Sequence, residues 1–196
     1  MTKVRHLAIL LLDDAEVLDF CGPYEVFSVA SNQSKSPSFN VMTIAEQTPV
    51  TARNGLSVNR DHSLESCPKP DVLLVPGGIG TRRELNNGSL IESVRQVASD
   101  AELVLSVCTD ALLLGKAGLL DGLEATTHHV AYDLLREIVP SCTVHKDRRF
   151  IDNGKIITSA GIAAGIDMSL HVVERLLSSD IATATARHME YPWKTS

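Results

Sequence analysis

The 196-residue sequence contains no C-x-x-C pair, because its four cysteines, Cys21, Cys67, Cys108 and Cys142, lie far apart. This excludes a zinc knuckle and a thioredoxin-type redox motif, and a reduced, cytoplasmic setting is expected. Basic residues are not in excess. Eighteen Lys and Arg stand against 24 Asp and Glu, a net charge of -6, so nothing attracts phosphate backbones or anionic lipid broadly. Neither nucleic acid nor a membrane is expected as a partner, although a local basic patch such as Arg148-Arg149 is present. No stretch approaches the roughly 20 apolar residues that span a bilayer. The apolar run at 7–12 meets Asp13-Asp14 instead of a small-residue cleavage site, so it is expected to be a buried strand and not a signal peptide. Internal repeats, low-complexity tracts and linkers are missing too, and one domain over 1–196 is expected. His6, His62, His145 and His171 have no ligand spacing, so no metal or other cofactor is expected. With 44% hydrophobic and 21% charged residues, the chain falls in the ordinary globular class. At this length a single core buries about 70% of the unfolded surface without staples.

What is present is an alternation of strand and helix signals, the pattern of an α/β domain with a mainly parallel sheet. Strands are expected at 4–12, 40–45, 71–75 and 103–107. Helices are expected at 19–30, 90–99, 111–117, 130–138, 165–178 and 181–186. Hairpins are expected around Asn54-Gly55 and around Asp152-Asn153-Gly154, and a Gly-rich turn with a short strand at 118–127.

Two apolar strands end in unusual chemistry, Val75-Pro76-Gly77-Gly78 and Ser106-Val107-Cys108-Thr109. In an open parallel sheet ligands bind beyond the carboxyl ends of strands. A cysteine between a buried strand and a helix start has the mechanics of a nucleophile elbow. The helix amides there are expected to lower its pKa and make Cys108 a thiolate nucleophile. A cysteine at a strand end is also commonly mere packing, but glycines at 77 and 78 allow backbone amides to approach a ligand and form an oxyanion hole with the Thr109 amide. Asp19, just ahead of Gly22-Pro23, reads from its position alone as a helix cap before it reads as a catalytic carboxylate. Glu16 is a rival carboxylate expected to face solvent.

Four blocks carry a family resemblance: residues 18–27 (LDFCGPYEVF), 71–78 (DVLLVPGG), 106–128 around Ser106-Val107-Cys108-Thr109, and 160–167 (AGIAAGID). In that order they resemble the PfpI/ThiJ group of the class I glutamine amidotransferase-like superfamily, most closely the branch of isonitrile hydratase and of the sensor domains of AraC-type regulators. The resemblance implies a flavodoxin-like three-layer α/β sandwich with a nucleophile elbow, a homodimer and a small-molecule substrate. It also implies a site in which Cys108 attacks an isocyanide carbon and Asp19 is general acid/base, with the amides of Gly78 and Thr109 as oxyanion donors beside Gly77. A cysteine-oxidation or ligand sensor is the alternative, and a glyoxalase, deglycase or amidase activity a further one. No helix-turn-helix segment accompanies the domain, so the chain is not expected to be a fused regulator itself.

The sequence departs from the group at Asp110, where a small uncharged residue is usual. A carboxylate pointing into the pocket would raise the Cys108 pKa; one facing out would only join the helix's first turn. His128 is expected to line the pocket or cap the next helix, and His129 to be exposed. His188-Met189-Glu190 has the H-x-E form of a glutaminase base but lies in the tail. Thr109 stands where protease relatives carry a His. Cys21, Tyr24 and Phe27 are expected in the core.

Overall fold

The computed structural model describes residues 3–193. β1 (Arg5–Leu10) leads into α1 (Val17–Gln33), then β2 (Phe39–Ala45), β3 (Val50–Thr51), β4 (Ser57–Val58), β5 (His62–Ser63) and β6 (Val72–Pro76). After β6 come α2 (Thr81–Glu84), α3 (Gly88–Asp100), β7 (Leu103–Val107), a 3-10 turn at Cys108–Asp110 and α4 (Ala111–Lys116). The chain continues through β8 (Glu124–Ala125), α5 (Tyr132–Ile138), β9 (Thr143–Val144), β10 (Phe150–Asp152), β11 (Ile156–Ser159), α6 (Ala164–Leu176) and α7 (Ser179–His188).

Seven strands form one sheet in the order β10-β11-β7-β6-β1-β2-β5, parallel except for the antiparallel edge pair β10 and β11. The long parallel strands are continuous apolar runs because both faces are covered. Alternate side chains serve alternate faces. Leu7, Ile9, Leu74, Leu105 and Val107 pack with Phe20, Phe27, Met168 and Leu170 of α1 and α6, whereas Ala8, Leu10, Leu73 and Val104 pack with Leu90, Val94, Leu112 and Leu135 of α3 to α5. The result is the expected three-layer α/β sandwich. Strand order reverses between β1 and β6, and that reversal opens a crevice at their carboxyl ends.

Three local expectations differ. α1 begins at Val17, with Glu16 as its N-cap, so Asp19 sits inside the first turn and is not a cap. Tyr24 and Cys21 are exposed, because they share an outward strip with Leu18 while Phe27 alone of that set turns inward. The short pieces β5, β9 and α2 have too few residues for a readable period.

Candidate active site

The carboxyl ends of β6 and β7 and the start of α1 converge. β6 exits through Gly77 and Gly78. Gly77 accepts the Glu16 amide at 2.8 Å, and Gly78 forms a bridge with Ala15. This ties the entry of α1 to the strand end and brings Asp19 beneath it. A Cβ on Gly77 would stand 2.5 Å from the Thr109 amide nitrogen, so only glycine allows β6 and β7 to end this close together.

Cys108 follows β7 with φ at 61°, a left-handed conformation that costs a non-glycine residue about 1–3 kcal/mol and persists where its surroundings over-determine it. The surroundings do so. The Cys108 amide donates to the Ala160 carbonyl (3.2 Å), and its carbonyl accepts the His128 amide (3.2 Å) and the Thr127 hydroxyl (2.6 Å). This strained strand-to-helix turn aims the sulfur at a cavity of about 560 Å3. Glu16, Arg53, Asn54, Gly78, Ile79, Arg82, Thr109, His128, Val130 and Ile162 line it with Cys108. Cys108 itself is only 5% exposed, whereas Ile79 and Val130 at the mouth are 59% and 56% exposed.

Asp19 is fully buried behind Cys108. Neither of its carboxylate oxygens has a well-formed hydrogen bond among the described residues; the Cys108 thiol and the amides of Gly77 and Ile162 face them. Burial raises its pKa to about 7, the nearby Glu16 charge adds to the rise, and the thiol and the two amides oppose it. The thiol departs from the sequence expectation. Burial, then the Asp19 charge and hydrogen bond, push the Cys108 pKa well up, against the lowering effect of the Thr109 and Ile162 amides. The helix-start amides are present, but desolvation and an adjacent carboxyl outweigh them. At neutral pH the pair holds one to two protons, and a thiolate beside a carboxylate, two adjacent anions, does not arise.

The amides facing the sulfur are those of Thr109 and Ile162. The Gly78 amide is directed elsewhere, donating to the Thr109 hydroxyl at 2.9 Å. Asp110 meets neither expectation: it is fully buried, it is outside the cavity lining, and burial raises its pKa well above the usual range. His128 does both things expected of it, lining the cavity while Nδ1 accepts the Val130 amide at 3.4 Å. Burial and neighbouring His129 lower its pKa. His129 is exposed, and His188 is exposed at the end of α7, away from the cavity lining.

Sequence reasoning missed Arg53, Asn54, Ile79, Arg82, Val130 and Ile162. Asn54 falls in a hairpin signal and Ile162 in the 160–167 block, but nothing local marks any of the six for the cavity, and only tertiary contacts such as the Arg53 amide bonded to the Ala15 carbonyl at 2.9 Å bring them in. Glu16, expected to face solvent, lines the mouth and pairs with Arg53 at 3.4 Å. Among the described residues no group of three or more His, Cys, Asp or Glu side chains is placed to hold a metal, and no helix is long and apolar enough to cross a membrane.

Residues 5–175 match the model of the DJ-1/PfpI family. The chain belongs to that family. Isonitrile hydratase of Pseudomonas putida is 35% identical over 187 residues, covering 95% of this chain and 78% of that protein. The HTH-type transcriptional regulator CdhR of Pseudomonas aeruginosa is 33% identical over 88% of this chain, which spans 51% of the regulator. The crystal structure of a ThiJ/PfpI family protein from Pseudomonas syringae superposes with a TM-score of 0.88 at 27% identity, covering 99% of this chain and 78% of that one. The flavodoxin-like arrangement of this DJ-1/PfpI chain is thus the fold of its relatives.

Proposed function

We propose that this DJ-1/PfpI protein is a cysteine-dependent hydratase of a small electrophile, adding water to an isocyanide carbon to release an N-substituted formamide. One observation carries the proposal: a strained, cavity-facing Cys108 backed by a buried Asp19 whose pKa is about 7. A carboxyl with that value is matched to moving protons at neutral pH. The similarity to isonitrile hydratase supports the choice of chemistry.

As the sulfur bonds to the terminal carbon, Asp19 takes the thiol proton and delivers it to that carbon, leaving a thioimidate, Cys108-S-CH=N-R. Because burial holds the thiol protonated, base assistance during attack replaces a preformed thiolate. Water then adds to the carbon with its proton passing to nitrogen. The C–S bond breaks as the new hydroxyl becomes the carbonyl, and its proton returns through Asp19 to sulfur. Isocyanide plus water becomes formamide, and the enzyme is regenerated. The amides of Thr109 and Ile162 are placed to stabilise charge near the sulfur.

The similarity to a transcriptional regulator supports ligand sensing as a second reading. Oxidative sensing draws less support, since sulfur oxidation follows thiolate character and exposure and Cys108 has little of either. The test is purified protein with cyclohexyl isocyanide: wild type forms the formamide and Cys108→Ala does not. Formamide from Cys108→Ala, or none from wild type, overturns the proposal.

A further inference from the structure

Asp110 takes no part in the chemistry above, yet it is a fully buried carboxyl with neither oxygen in a well-formed hydrogen bond among the described residues. The side chain facing it is Thr81, at the start of α2. The Thr81 hydroxyl lies 3.0 Å from the Thr109 hydroxyl. Thr109 in turn receives the Gly78 amide at 2.9 Å and donates to the Gly78 carbonyl at 3.0 Å. All three links lie in the buried floor beneath the Cys108 cavity.

We propose that Asp110 is a positioning residue, the far end of a one-way hydrogen-bond chain through Thr81 and Thr109 that locks the Gly78 peptide against the Cys108 cavity. The number of hydrogens available fixes the direction of the chain. Each hydroxyl has one hydrogen to give and two lone pairs to receive. If Asp110 is un-ionised, it donates to Thr81, Thr81 donates to Thr109, and Thr109 keeps its hydrogen for the Gly78 carbonyl while accepting the Gly78 amide. Every group is then used once. If Asp110 were ionised it would draw the Thr81 hydrogen, and the single Thr109 hydrogen would face two acceptors. Burial favours the un-ionised form of Asp110 most, the facing carboxyls of Asp19 from α1 and Glu84 from α2 add to it, and together they outweigh the Thr81 contact, which opposes it. The chain's direction is therefore set by the protein and not by solvent. Its product is a Gly78 amide held away from the cavity, so that the amides beside the sulfur are those of Thr109 and Ile162.

The kinetic arm of the test rests on the hydratase reading; the spectroscopic and alkylation arms do not. In an Asp19→Asn background at pH 8, the infrared carbonyl stretch of an un-ionised carboxylic acid is expected. It is expected to vanish on adding Asp110→Asn and to move to higher frequency on adding Thr81→Val, which removes its acceptor. In otherwise wild-type protein, Asp110→Ala and Thr81→Val each lower kcat by about tenfold with KM within about threefold, the double variant loses no more than either single one, and Asp110→Asn rescues most of the loss. Mass-resolved alkylation of Cys108 by iodoacetamide changes in the same direction in Asp110→Ala and Thr81→Val. Absence of the acid band, additive losses, or wild-type kcat and alkylation in Asp110→Ala overturns the chain. If wild type makes no formamide, the hydratase reading falls, and the band with the alkylation rates still decides the role of Asp110.

Discussion

At the scale of single residues, Asp19 is held in a state that costs stability and supplies chemistry. Its folded pKa is about 7, against about 3.9 in an unfolded chain. Between those values the folded protein keeps a proton that the unfolded chain has released, so stability is fullest below about pH 4 from this group and falls as pH rises to 7. The neutral isostere Asp19→Asn is therefore expected to be the more stable protein at pH 8, by up to roughly 4 kcal/mol, and to lose about a hundredfold or more in formamide kcat/KM. Urea melts at pH 5 and pH 8 with parallel kinetics check it; a variant less stable than wild type at pH 8 contradicts the raised pKa. Asp71 and Asp152 pull the other way, since Lys3 and His171 hydrogen bonds lower their pKa values against the effect of burial. Their loss of stability belongs to more acid pH than the Asp19 slope.

At the scale of elements, the site is the meeting of two strand ends and a helix start, and the sequence announced the parts better than their arrangement. The Gly77-Gly78 pair and the position of Cys108 after an apolar strand were legible because each is a local signal. The thiol's true state was not. Burial and the facing Asp19 arise only when α1 is laid over β6 and β7, and they override the helix-start effect that a linear reading weighs alone. Gly77→Ala is expected to force the ends of β6 and β7 apart, since its Cβ would meet backbone at 2.5 Å (Thr109 nitrogen) and 2.8 Å (Val107 oxygen). A loss of about 1–3 kcal/mol follows for overpacking of this kind, lowering Tm by several degrees with the loss of activity. An unchanged Tm would show that the close approach is not required.

At the scale of the whole molecule, alternating apolar runs disclosed the three-layer sandwich, whereas the cavity mouth stayed hidden because Arg53, Arg82 and Val130 come from three segments far apart in sequence. The same holds for the outward strip of α1, where Leu18, Cys21 and Tyr24 are exposed although their spacing in sequence is that of a buried stripe. We propose that the homodimer implied by the resemblance associates through this exposed strip. A solution mass of two chains is expected, falling to one in Leu18→Glu/Tyr24→Glu, and a wild-type mass of one chain overturns the proposal. The proton shared between Cys108 and Asp19 is the centre of the proposed chemistry, and the pH dependence of kcat/KM for formamide formation reads that pair in the free enzyme. Wild type is expected to show a limb that rises with an apparent inflection near 7 and that is absent in Asp19→Asn. A profile flat from pH 6 to about 8, or one that climbs only where an isolated thiol ionises above about 8.5, would contradict it.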